Sequence, residues 1–145
     1  MLYQRQKVLL SLLEALGGDV SALDFQKLLF LYVQEMERDT GPSYEFVPYQ
    51  YGGFSFTSYA DKRKLQELGI LQPGDRFRLA PDWKSRIPPR TTVERFPLVA
   101  SFVQKYGHLR GDALVALAYR RYPRWAARSR MAERVLAGDA QALSA

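Results

Sequence analysis

Ser21–Arg38, SALDFQKLLFLYVQEMER, decides the fold. Leu28, Leu29, Tyr32, Val33 and Met36 recur at helical spacing and define one apolar face. Phe25, Phe30 and Leu31 carry that apolar surface around much of the remaining circumference. A helix that is apolar on most sides is buried on most sides, so other elements must wrap it. Ser21, followed three residues later by Asp24, offers a capping oxygen to the first backbone donors. Lys27, Gln34, Glu35 and Glu37 leave only a thin wet edge. The segment reads as the core helix of a mainly α-helical domain.

Around that helix, a chain of 145 residues has the length of one ordinary domain and can bury a real core. Its hydrophobic fraction of 47% excludes a wholly disordered chain. No apolar run approaches the roughly 20 residues that span a bilayer. The first stretch, MLYQRQKVLLSLLEAL, is interrupted by Glu14, and Gly17-Gly18-Asp19 is a poor cleavage site for a signal peptide. A cytoplasmic chain is therefore expected. The absence of Cys fits that compartment and excludes disulfide, thiolate-metal and cysteine-nucleophile chemistry. The net charge of +6 is uneven: residues 1–109 carry +2 and residues 110–145 carry +4. An anionic partner would feel the tail most.

Leu2 to Leu16 is expected to form a first helix along Val8, Leu9, Leu12, Leu13 and Leu16, stopped by Gly17-Gly18. After the core helix, Tyr44 to Tyr51 suits an extended surface, as an edge strand or irregular arm because Pro48 lacks a ladder donor. Gly52-Gly53 permits a sharp turn, and Ser55 or Thr57 caps a third helix to about Leu68. On it Tyr59, Leu65 and Leu68 should face the core, and Asp61, Lys62, Arg63, Lys64, Gln66 and Glu67 the water. Ile70-Leu71 and Arg76 to Leu79 flank a polar tip and suggest a hairpin. Helix followed by hairpin gives residues 1–80 a winged-helix character. Ala80 to Arg90 holds three prolines and connects to a helical half, residues 91–137, with a frayed tail at 138–145. In that half Thr91 with Glu94 can cap a helix, Pro97 kinks it or marks its first turn, Asp112 to Tyr122 forms another helix ended by Pro123, and a further short helix runs from Arg124 to Ala137. All 145 residues are expected to form a single domain.

No catalytic set emerges, and neither a cofactor nor a metal site is expected. His108 is the sole histidine and lies in a turn, which excludes multi-histidine metal sites and leaves one candidate base. Gly53-Phe54-Ser55 is half of a nucleophile elbow without its second Gly. Three surfaces carry binding chemistry instead. Tyr44, Phe46, Tyr49, Tyr51, Phe54, Phe56 and Tyr59 are too many aromatics for one small core, so some should form an exposed contact surface. Arg120, Arg121 and Arg124 interleave with Tyr119, Tyr122 and Trp125, a mixture suited to nucleic-acid bases or an acidic protein face. Arg120, Arg124 and Arg128 would share one helix face if the helix continued through Pro123. Lys62, Arg63, Lys64, Arg76 and Arg78 could straddle a phosphate backbone as recognition helix and wing.

LDFQKLLFLYVQEM followed by PYQYGGFSFTSYADKRKLQELGIL resembles the SocA-like, or Panacea, antitoxin domain. The matching residues are Gln26, Lys27, Leu28, Leu29 and Phe30, then Tyr51, Gly52, Gly53, Phe54 and Ser55, then Leu65, Leu68, Gly69 and Ile70. Tyr106-Gly107-His108-Leu109 extends the likeness, which covers most of residues 5–125. The resemblance implies a helical, partly winged fold without enzymatic activity that binds a toxin protein encoded beside it. The expected partner surface is Tyr49, Tyr51, Phe54 and Phe56, with Arg120, Arg121 and Arg124 as an electrostatic rim. The alternative is a winged-helix DNA-binding regulator or phage-defence accessory protein using Lys62, Arg63, Lys64, Arg76 and Arg78.

Overall fold

The computed structural model describes residues 2–49, 52–88 and 96–126. Helices occupy 59% of these residues and strands 9%, which makes the domain mainly α. The core helix α2 spans Ala22–Met36, and Ser21 caps it by accepting a hydrogen bond from the Asp24 amide at 3.2 Å. Phe25 and every residue from Leu28 to Val33 are buried. So are Gln26 and Lys27, although Lys27 had been expected on a wet edge. The reason is tertiary: α6 (Gly111–Arg121) lies over Lys27, and the chain entering α3 (Phe56–Glu67) lies over Gln26.

Helix α1, Gln4–Ala15, buries Val8, Leu9, Leu10, Leu12 and Leu13. It stops where Gly17 and Gly18 take positive φ values of 102° and 84°, which lets the chain reverse into β1, Asp19–Val20. Strand β1 pairs antiparallel with β4, Phe77–Arg78, in the register Asp19↔Arg78 and Val20↔Phe77. Leu79 in turn bridges Leu71, while Gln72 donates to the Arg78 carbonyl at 2.8 Å. The expected hairpin after α3 is reduced to the single Leu71↔Leu79 bridge, and the strand that pairs with β4 is β1. This order (helix, strand, helix, helix, hairpin) and the pairing of the first strand with the hairpin's return strand are those of a winged helix, interrupted between α2 and α3.

The interruption is a second hairpin, β2 (Val47–Tyr49) with β3 (Gly52–Phe54), paired as Val47↔Phe54, Pro48↔Gly53 and Tyr49↔Gly52. Pro48 tolerates this place because a two-stranded ribbon has only edges. Gly52 and Gly53 do not form the expected turn; they are strand residues. Gly53 is required by packing, since a Cβ there would stand 2.8 Å from Cδ2 of Phe30.

A four-residue helix α4, Trp83–Arg86, occupies the proline-rich connector and buries Trp83. Helix α5, Pro97–Tyr106, has Pro97 in its first turn and turns Val99, Phe102 and Tyr106 inward. It packs on α1 and α2, and α6 packs on α2. Tyr122 leaves helical geometry and Pro123 begins α7, Pro123–Ala126, so Arg120 and Arg124 do not share one continuous helix. Thr91 with Glu94, the segment 127–137 and the tail at 138–145 lie outside the described residues. One apolar cluster joins α1, α2, the wing and both C-terminal helices. At about 1.5–3 kcal/mol for each buried large aliphatic or aromatic side chain, that shared core supplies the fold's main driving force.

Candidate functional site

The sequence-nominated aromatics are held up by a polar clip on the core helix. Gln26 Oε1 accepts the Ser55 amide at 3.1 Å, and its Nε2 donates to Ser58 Oγ. Ser58 Oγ passes the chain of bonds on to the Ser55 carbonyl at 2.9 Å. Ser55 Oγ accepts the Ser58 amide at 3.1 Å and so caps α3. The Ser55 hydroxyl is thus buried and committed to the backbone, which removes it as a nucleophile. His108 sits exposed in the turn between α5 and α6.

This clip fixes the junction of β3 and α3, and with it two phenylalanines. Phe54 is half-buried, stacked on Tyr59 with centroids 4.9 Å apart and met edge-on by Phe56 at 4.7 Å. Tyr59 continues the series to Phe77 at 6.2 Å, and Phe77 stacks on Phe25 of the core helix at 4.3 Å. A ladder of rings therefore runs from the core outward to Phe56, which keeps 62% of its surface exposed. Val47, exposed by 43%, lies directly across the ribbon from Phe54, and cross-strand partners share a face. Val47 was not singled out from the sequence; the register alone brings it to the patch. Of the two nominated tyrosines, the Tyr49 side chain and all of Tyr51 lie outside the described residues. The other aromatics of that segment turn inward: Tyr44 is fully buried, and Phe46 meets Phe30 edge-on at 5.4 Å.

Asp61 and Lys62 require correction, because both are buried rather than solvated, at 4% and 6% exposure. Asp61 accepts from Arg5 Nε at 2.8 Å and Nη2 at 3.2 Å, from Gln6 Nε2 at 3.0 Å and from the Tyr44 hydroxyl at 2.8 Å. This network pins α3 to α1 and to the arm before β2. Burial, with the Asp61 carboxylate adding to it, pushes the Tyr44 hydroxyl far above its ordinary pKa and keeps it a donor. Lys62 Nζ donates to the Asp75 carbonyl and lies 4.9 Å from the Phe77 ring centre; burial lowers its pKa.

The wing arginines are also engaged. Arg76 Nε and Arg78 Nε reach the two carboxylate oxygens of Asp19 at 2.6 and 3.2 Å. The hydrogen bond from Arg76 is the main reason the Asp19 pKa falls. Arg63 and Lys64 remain on the outer face of α3, with Lys64 4.0 Å from Glu67. On the opposite rim Arg121 pairs with Glu35 at 2.5 Å, and Tyr106 donates to the same carboxylate at 3.4 Å. Arg120 and Arg124 are exposed. Tyr122 and Trp125 do not stand open beside them; both pack edge-on against Phe30, at 5.6 and 5.0 Å.

Among the described residues no group of three or more His, Cys, Asp or Glu side chains could hold a metal ion. Nor does any helix among them have the length and apolarity to cross a membrane. No protein-family model, curated protein or solved structure matches the chain.

Proposed function

We propose that this chain is a non-enzymatic protein-binding module of the SocA-like antitoxin kind, which neutralises or delivers a partner protein, a toxin encoded beside it. The carrying observation is Phe56, an aromatic ring exposed at the start of a helix whose inner face is fully committed elsewhere. Scattered exposed apolar residues are normal, but Phe56, Phe54 and Val47 touch or face one another and form a patch. Rigid rings backed by a packed ladder lose little freedom on binding, which suits them to anchor a partner. Tyr49 and Tyr51 belong to this reading through the sequence alone. Arg120, Arg121 and Arg124 form its electrostatic rim, with Arg121 already half-satisfied by Glu35. The reading places the protein in the cytoplasm, beside the product of the neighbouring gene.

Co-purification with that neighbouring gene product tests it. The double substitution Phe54→Ala and Phe56→Ala should weaken capture by about 1,000-fold, at about 2 kcal/mol per aromatic anchor. Undiminished capture removes the patch from the interface.

A winged-helix DNA-binding regulator is the second reading, and the pairing of β1 with the wing favours it. Its charges are the weaker part. Of Lys62, Arg63, Lys64, Arg76 and Arg78, the first points inward and the last two share Asp19.

A further inference from the structure

We infer that the outward face of α3 seats an acidic amphipathic helix of the partner protein, an inference that rests on the protein-binding reading above. Phe56, Ala60, Arg63 and Glu67 follow one another at intervals of four, three and four residues, which sets them in one stripe. All four are exposed, whereas Ser58, Asp61, Lys62 and Leu65 take the opposite, buried side. A charged helix surface would normally carry short or charged residues along such a stripe. Here an aromatic stands at one end, a cation lies two turns on, and a bare methyl separates them.

Each part specifies something about the occupant. Phe56, with Phe54 and Val47 beside it, offers an apolar seat that takes side chains at helical i, i+3 and i+4 spacing. Ala60 presents no bulk, so a second helix can lie close along the axis. Arg63, seven residues beyond Phe56, is about 10 Å further along. It forms no ion pair among the described residues and calls for a carboxylate at that distance. Lys64 adds to the same field, because its contact with Glu67 is long and solvated. On this exposed face Arg63 and Lys64 outnumber Glu67 and draw an acidic segment toward it. Duplex DNA fits the stripe less well. The wing cations that would flank a groove are drawn onto Asp19.

The probe is a phage-displayed library of random peptides of about 16 residues, enough for four helical turns. It is panned on the full chain and counter-panned on Arg63→Glu. Recovered peptides should carry apolar residues at helical spacing, with Asp or Glu two turns away. Their affinity should fall at least tenfold, about 1.4 kcal/mol, on Phe56→Ala and on Arg63→Glu. Replacing the peptide acid by Lys should restore binding to Arg63→Glu. Both substitutions are at exposed positions, and circular dichroism verifies that the variants keep the fold. A recovered consensus without acids, no consensus at all, or affinity indifferent to Arg63→Glu overturns the inference. So does tighter binding of a duplex of about 20 base pairs that weakens steeply with salt. If co-purification of the neighbouring product depends on Phe54 and Phe56 while no acidic consensus emerges, the protein-binding reading stands and the acidic helix falls. Acidic peptides that bind without any co-purification give the reverse result.

Discussion

At the scale of single residues, the buried polar groups of α2 and α3 explain more of this fold than its hydrophobic pattern does. Lys27 is the extreme case: it is 1% exposed and donates to the Tyr119 hydroxyl at 3.4 Å, with no carboxylate paired to it among the described residues. Burial pulls its pKa from 10.5 down to about 8. Below pH 8 the folded and unfolded chains both hold the proton, and the whole cost of burying the charge is present. Between about 8 and 10.5 the unfolded chain holds it and the folded chain does not, so stability should rise with pH by up to about 3 kcal/mol. Lys27→Met keeps the volume and removes the charge. Urea melts at pH 7 and pH 9, a unit below the ordinary tyrosine pKa, should show wild type gaining stability between them and the variant gaining none. The variant should also be the more stable at pH 7. A parallel pH response in the two proteins would mean that Lys27 is not the buried charge that governs stability. Periodicity hides this because Lys27 falls at the boundary of the apolar arc, where period alone assigns it to water. Asp61 deceives in the same way: its partners Arg5, Gln6 and Tyr44 are 56, 55 and 17 residues away.

At the scale of elements, α1, α2, α3, α5 and α6 were legible because each carries its own period and its own stop. Ser21, Ser55, Gly17, Gly18 and Pro97 mark ends by local chemistry, and local chemistry survives in a sequence. Of the second ribbon, β2 falls inside the extended stretch expected at 44–51, but β3 was not legible. Glycine is a poor strand former, so Gly52-Gly53 reads as a turn. What makes Gly53 a strand residue is the Phe30 ring beneath it, a contact between elements. Gly53→Ala should therefore push the ribbon off the core helix, with a destabilisation of about 1–3 kcal/mol from overpacking. Since Phe54 follows directly, the substitution should also displace the aromatic patch and weaken peptide or partner capture. Thermal melts and binding measured together check this. A variant with unchanged stability and binding would show that Phe30 moves aside freely. Of the nominated patch, the sequence found Phe54 and Phe56 from composition but not Val47, whose membership depends on the register Val47↔Phe54.

At the scale of the whole molecule, the winged half and the helical half are covered by each other. α5 supplies Val99, Phe102 and Tyr106 against α1 and α2, and α6 supplies Leu114, Val115, Ala118 and Tyr119 against α2. Tyr32 of α2 meets Phe102 edge-on at 5.6 Å, and Arg121 of α6 grips Glu35 of α2. Lys27 becomes buried only because α6 is there, so the oddest residue of the core helix belongs to the junction of the halves. Removing residues 96–126 would leave a face of α2 open to water, and a ribbon of two- and three-residue strands has little core of its own to compensate. The full chain should accordingly unfold in one cooperative transition, with near-ultraviolet and far-ultraviolet circular dichroism coinciding. A fragment of residues 1–88 should lack that transition and show exposed apolar surface by dye binding. If the fragment melted cooperatively on its own, the aromatic patch would belong to an autonomous winged unit. The C-terminal helices would then be an attachment rather than the cover that completes the core.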